Sequence, residues 1–291
     1  SIYEKLNSSK FDKTILKYIH ENSAAYFTYN VNLREAYEQS LKVVIPILEK
    51  QKDPRVSSTL LTLELLNDFV NKDVLFGTYK GTMFGTFNGI KKVKTKRIDY
   101  QYDEETFEYT ETEVEGKEDM PLFTFGISTD RADIPEKILK HISGLTSKLK
   151  NHGKYWKFEN ALLESVPLYF INRNGLFIVT NDEDLAMNYS DGYGANAISG
   201  KEAKKIKKGG FVYAHVDWGK MIDKFPREMF KPKQLDVIDA IRNKTGIMEL
   251  KSGKMNKNKT NFDIVYDMNE KTGNSAKHIL DLINSIYVLS K

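Results

Sequence analysis

The stretch from Asp73 to Ser128 constrains this chain more than any other part of it. Its first half, DVLFGTYKGTMFGTFNGIKKVKTK, places glycine at 77, 81, 85 and 89. That spacing mimics the GxxxG packing motif of membrane helices, which needs about 20 apolar residues in a row. Lys80, Asn88 and several threonines interrupt it. In a water-soluble helix each glycine would cost about 1 kcal/mol. The Thr, Tyr, Phe, Val and Met residues between the glycines favour a pleated surface instead. The stretch therefore reads as consecutive antiparallel strands with helical segments before and after. Lys80-Gly81 and Asn88-Gly89 read as turns, the second as a hairpin signal. Gly77 and Gly85 mark bulges or close packing of another element.

The second half, RIDYQYDEETFEYTETEVEG, predicts its own pairing. With Glu104-Glu105 at the tip, Tyr102 faces Phe107 and Tyr100 faces Tyr109. Lys96 then faces Glu113, and Lys94 faces Glu115. Aromatic and opposite-charge pairs of this kind are each worth about 0.2–1 kcal/mol. Such a ribbon has two uses: a solvated hairpin with matched charges, or a docking surface. In the second use Tyr100, Tyr102, Phe107 and Tyr109 are the partner-binding residues.

At 291 residues the chain can bury a sizeable core and form two lobes. Its 16 Tyr and 16 Phe suit sheets. A net charge of +4 from 44 basic and 40 acidic residues is only weak evidence for a polyanion partner. Zero cysteines exclude disulfides, thiol nucleophiles, iron–sulfur clusters and cysteine zinc sites. No run is apolar for long enough to span a membrane, and no signal peptide begins at Ser1.

In chain order, Ser1 to Glu21 reads as a helical lead-in, followed by the strand AAYFTYNV. Asn32 with Glu35 forms a capping box for a helix that Pro46 should kink or end. A leucine-rich helix follows Asp53-Pro54. Beyond the ribbon lie the strand PLFTFGIS, an amphipathic helix from Asp133, and the strands KYWKFE, PLYFIN and GLFIVT. A short helix begins near Asn181, and the basic run KEAKKIKK occupies 201–208. The strand FVYAHV, Asp217 as a cap, a helix near 232–242, the hairpin GIMELKS/NFDIVYDM and a last helix complete the chain. FTYNVNLREAY and VYAHVDWGKMI share one plan: strand, Asn or Asp cap, helix. TFGISTDRADIPEKI repeats it with a longer turn. The fold class is α+β: mainly antiparallel sheets with helices packed on one face, in two or three loosely repeated strand-helix-hairpin units. A lobe over 1–200 would carry the ribbon at 73–128, and a smaller lobe over 201–291 would share the sheet.

Catalytic and cofactor motifs are missing. The five histidines, His20, His141, His152, His215 and His278, form no HxH, HExxH or HxxxH pair, so no metal site is assigned. Asn181-Asp182-Glu183-Asp184 lacks EF-hand spacing and suits a helix N-terminus. No GxSxG, GxGxxG or Walker motif is present, so no catalytic or cofactor-binding residue is named. Lysines at 201–208 and at 251–259 lie near Phe211, Tyr213 and Phe262, the ingredients of nucleic-acid stacking. Solvated faces explain them equally well, and no nucleic-acid partner is expected.

Several segments carry a resemblance: Asp73-Val74-Leu75-Phe76-Gly77, Gly89-Ile90-Lys91-Lys92-Val93-Lys94, the tyrosine and acid ribbon, Pro121-Leu122-Phe123-Thr124, Leu176 to Asp182, and Gly210-Phe211-Val212-Tyr213. In their order the chain resembles the C-terminal part of an uncharacterised family of Bacteroidota cell-envelope lipoproteins, a domain of unknown function. The resemblance covers most of the chain. It implies export, an outer-membrane association through a lipid anchor outside this chain, and other envelope proteins as partners. It supplies no catalytic residues. The expected function is a non-enzymatic interaction or scaffold subunit of an outer-membrane-associated assembly. The alternatives are a glycan or small-ligand binding protein using Trp156 or Trp218, and, third, a hydrolase.

Overall fold

The computed structural model describes residues 5–6, 10–51, 53–69, 71–103, 107–161, 166–192, 196–253, 260–268, 277, 280, 281, 283, 284, 287 and 288. The chain builds one ten-stranded sheet in which each neighbouring pair is antiparallel. Its strands are β1 (Ala25–Asn30), β2 (Thr82–Asp103), β3 (Glu108–Ser128), β4 (Leu149–Asn151), β5 (Trp156–Phe158), β6 (Leu168–Arg173), β7 (Leu176–Thr180), β8 (Val212–Asp217), β9 (Ile247–Ser252) and β10 (Phe262–Asp267). Their spatial order is β10-β9-β8-β1-β2-β3-β7-β6-β5-β4. The α+β class expected from the strand and helix patterns is present. The sheet runs without a break across residue 200, since β8 pairs with β1 from Ala25 to Tyr29.

The helices are α1 (Leu33–Glu49), α2 (Pro54–Phe69), α3 (Lys72–Thr78), α4 (Asp133–Leu145), α5 (Glu183–Ser190), α6 (Gly200–Lys208), α7 (Trp218–Asp223) and α8 (Pro232–Lys244). Four begin at side-chain caps that satisfy free backbone N–H groups: Asn32 for α1, Asn71 for α3, Asp182 for α5 and Asp217 for α7. The weak repeat acquires a geometric meaning. β1 and β8 lie side by side, antiparallel, and each leads through a cap and helices into a hairpin on its outer side. A half-turn between them exchanges β1-β2-β3 with β8-β9-β10.

The main core lies on one face of the sheet. Ile15, Leu16, Tyr18 and Ile19 pack there with Leu185, Ala186, Tyr189, Ala203 and Ile206, over Tyr26, Phe84, Ile171, Leu176, Ile178 and Tyr213. A smaller cluster, Leu139, Leu149 and Trp156, sits against Phe158, Phe170 and Phe177. Because Phe170 and Phe177 alternate with Ile171 and Ile178, this cluster covers the opposite face at the β4–β7 end. Helices therefore pack on both faces, rather than on one.

Four local expectations change. In the N-terminal lead-in the described Lys5 and Leu6 are helical, while Lys13–Lys17 is a 3-10 turn. Ile15 and Leu16 of this turn and Tyr18 and Ile19 after it are nearly fully buried, so packing rather than helix propensity sets its shape. Of the two outcomes expected at Pro46, a kink or an end, the end does not occur: α1 continues to Glu49. Residues 72–78 form α3, so the strand run begins at Thr82 and not at Asp73. Asn88-Gly89 is not a turn. β2 passes through it with a bulge between Phe87 and Gly89, and Asn88 instead bonds Ser23 and Thr124. By contrast, Asn174 and Gly175 both have positive φ and close the β6–β7 hairpin as a two-residue turn. Of the last helix expected from the sequence, residues 277, 280, 281, 283, 284, 287 and 288 are described and helical, and the rest lie outside the described residues.

Candidate functional site

Three features carry candidate chemistry: the ribbon, an apolar sheet face and a buried charge cluster. The ribbon comes first. β2 and β3 pair over twenty rungs, but β1 ends its pairing with β2 at Phe87 and β7 ends its pairing with β3 at Thr124. Among the described residues no strand flanks the hairpin from Gly89 to Asp103. At about 3.3 Å per residue it projects about 45 Å. Its base is braced by Phe225, whose ring centroid lies 6.4 Å from that of Phe87, and by ion pairs from Lys92 to Asp119 and Glu228.

The register differs from the expected one by two residues. Tyr102 pairs with Tyr109, Tyr100 with Glu111, Lys96 with Glu115 and Lys94 with Lys117. A loop longer than two residues at the tip accounts for the shift: Phe107 lies in the turn with φ 57°. A two-residue shift keeps each side chain on its face. The aromatic grouping therefore survives while the charge matching weakens, since two lysines now oppose each other. Tyr100, Tyr102 and Tyr109 share one face, and the rings of Tyr102 and Tyr109 lie 5.0 Å apart. All four residues expected to bind a partner are exposed: Tyr100 60%, Tyr102 48%, Phe107 76% and Tyr109 67%.

The apolar face lies behind the main core. Phe27, Phe87, Phe123, Phe125, Ala214 and Val216 line a groove of about 390 Å³. Phe27 lies across Gly85, where an added Cβ would fall 2.4 Å from its ring, and meets Phe125 edge to face. Phe27 and Phe125 remain 37% and 41% exposed.

The charge cluster joins α6 to β1, β8 and β9. Glu249, 5% exposed, accepts hydrogen bonds from Lys205 Nζ at 2.7 Å and from the Tyr213 hydroxyl at 2.9 Å, and Lys251 Nζ lies 2.8 Å away. Lys205 also reaches Glu202 at 2.8 Å. His215 stacks on Tyr26 at 4.6 Å, and the Tyr26 hydroxyl donates to Glu202. Burial acts to raise the Glu249 carboxyl, but the bonds from Lys205, Lys251 and Tyr213 outweigh it and hold it at about 2. Burial lowers His215 against the pull of Glu202 and Glu249, and burial raises both Tyr26 and Tyr213.

Glu202, His215 and Glu249 bring ligand-type atoms within 4.8 Å of one another. The Lys205 ammonium bridges the two carboxylates, where a cation would have to sit. A carboxylate held at about 2 is also a poor general base near neutral pH. The cluster's chemistry is that of a buried ion network which ties α6 to the sheet. Sequence reasoning did not single out Glu202 or Glu249. The period-2 pattern of β8 and β9 was the available signal, because it puts Tyr213, His215, Glu249 and Lys251 on one face.

The remaining sequence candidates have structural placements. Trp156 is buried and donates from Nε1 to Glu136, and Trp218 opens α7. Asn181 bonds the Phe123 N–H and the Pro121 carbonyl, while Asp182 caps α5. His20 accepts from the Asn22 N–H, and His152 stacks on Tyr155. His278 lies outside the described residues. A cleft of about 460 Å³ at the ribbon base sets Lys91 and Lys157 opposite Asp182 and Glu183. Among the described residues no helix is long and apolar enough to cross a membrane. In comparison with known proteins, no family model, no curated protein and no solved structure matches this chain.

Proposed function

We propose that the protein is a non-enzymatic interaction or scaffold subunit of an outer-membrane-associated assembly in the cell envelope, with the ribbon as its docking arm. One observation carries this reading: Tyr100, Tyr102 and Tyr109 share an exposed face of a two-stranded hairpin, with Phe107 exposed in its turn and no flanking strand among the described residues. A two-stranded ribbon is only marginally stable in water, and an aromatic surface on it gains most by being covered. Tyrosines supply large, rigid contact area at low entropic cost, as they do at protein interfaces generally. The envelope assignment rests on the family resemblance of the sequence and on the expected lipid anchor outside this chain.

The test compares wild type with the triple variant Tyr100→Ser, Tyr102→Ser, Tyr109→Ser, each purified by affinity from native membranes in mild detergent. Wild type should recover envelope proteins that the folded variant loses by at least tenfold. Recovery of wild type alone, or equal recovery by the variant, overturns the reading. The runner-up, a glycan or small-ligand binding protein using Trp156 or Trp218, is supported by the cleft that Lys91, Lys157, Asp182 and Glu183 line, although neither tryptophan lines it.

A further inference from the structure

We infer that the apolar groove over β8, β1, β2 and β3 is the seat of the chain's own C-terminal segment, residues 277–288, docked as a helix.

The groove selects the kind of occupant. Its lining side chains are Phe27, Phe87, Phe123, Phe125, Ala214 and Val216, while Tyr26, Thr86, Thr124 and His215 on the same strands point to the core face. Nothing polar converges there to orient a sugar or a charged metabolite. A row of aliphatic side chains at helical spacing fits such a surface.

The segment has that row. Lys277, Leu280, Asp281, Ile283, Asn284, Tyr287 and Val288 are helical. Leu280, Ile283 and Val288 fall at i, i+3 and i+8, one side of a helix. They are 65%, 56% and 59% exposed. The same stretch of sequence also contains the aliphatic residues Ile279, Leu282 and Ile286. One chain thus carries an open apolar groove and an uncovered apolar helix.

The tether permits the contact. β10 ends at Asp267 opposite Ile247, and Ile247 lies opposite Asp217. Asp217 donates its N–H to Ala24 beside Phe87, so the segment leaves from the end of the sheet where the groove lies. At about 4.8 Å per strand, β10 to β2 is about 19 Å. Residues 268–276 span up to about 30 Å when extended. Docking within the chain therefore needs no second molecule, and a short tether gives it a high effective concentration.

The absence of cysteine allows a clean test in the full chain. The thiol of Ile283→Cys should react with a soluble maleimide at least tenfold more slowly than that of Lys140→Cys on exposed α4. Adding Phe125→Asp in the groove should restore the fast rate without unfolding the protein, as checked by circular dichroism. Ala214→Cys with Ile283→Cys should form a disulfide within one chain on mild oxidation, independent of protein concentration. A fast rate in the single variant overturns the inference, as does a slow rate untouched by Phe125→Asp. A disulfide found between chains overturns it too, and assigns the groove to a second copy. Loss of partner recovery by the tyrosine variants bears on the ribbon alone, so the two ideas fail separately.

Discussion

Replacing Glu249 by glutamine removes a charge held at about 2 from a site 5% exposed, while keeping the side chain's size and its capacity to accept hydrogen bonds. The carboxyl falls from its ordinary 4.5 when the protein folds. A depressed acid contributes stability that is present above the unfolded value and is lost as pH falls through the folded value. For Glu249 that window runs from about 4.5 down to about 2. A depression of that size corresponds to a few kcal/mol, at about 1.36 kcal/mol per pKa unit. Lys205 and Lys251 are 39% and 28% exposed, so solvent screens their side of the pairs. A loss of about 2 kcal/mol at pH 7 is the working figure. For a chain of this size it lowers the melting temperature by about 4–8 °C. Urea unfolding of wild type and Glu249→Gln between pH 7 and pH 3 reads both numbers. The gap should narrow as pH falls below 4.5. His215, 3.8 Å from Glu249, adds a second dependence that is steeper in the variant, because Glu249 no longer offsets its burial. Its value is lowered by burial, so both proteins should lose stability as pH falls below 6.5, where the unfolded chain binds a proton the folded one resists. A constant gap across the whole pH range would refute the charge network as its source.

Further predictions follow from packing and pairing. Gly126→Ala places a Cβ 2.2 Å from the ring of Phe84, which is fully buried, and should cost about 2–3 kcal/mol in urea unfolding. Gly144→Ala in α4 meets nothing within 4 Å and should stabilise by about 0.5–1 kcal/mol. Lys117→Glu replaces a like-charge rung opposite Lys94 and should slow amide exchange in the ribbon, by a few tenths of a kcal/mol. The variant Tyr100→Ser, Tyr102→Ser, Tyr109→Ser should unfold at the wild-type urea midpoint within about 0.5 kcal/mol, because its side chains are exposed.

The fold was legible where the sequence carries local physics. Period-2 alternation located β6, β7, β8 and β9, and the capping residues Asn32 and Asp217 located the starts of α1 and α7. Opposed basic and acidic runs revealed the ribbon, and its facing pattern survived the two-residue slip. What failed had a competing cause. Asn88-Gly89 has the chemistry of a turn, yet Ser23 and Thr124 hold Asn88 in a bulge inside a continuous strand. Lys72–Thr78 reads as strand by composition, but the Asn71 cap and the packing of Phe76 against Tyr37 make it helical. Pro46 remains in α1, where propensity alone would end the helix. The charge cluster was legible only in part: alternation puts Tyr213 and His215 on one face of β8 and Glu249 on one face of β9, but positions 26 and 202 join them only through the order of the sheet and the packing of α6.

The docking role of the ribbon is tested most directly by a photo-crosslinking side chain at Tyr102, expressed in the native host, with a second variant at Lys140 on the exposed face of α4. The account predicts a discrete crosslinked product between Tyr102 and another envelope protein, and none from Lys140. Crosslinks from Tyr102 that return only to this chain, or the same products from both positions, would contradict it.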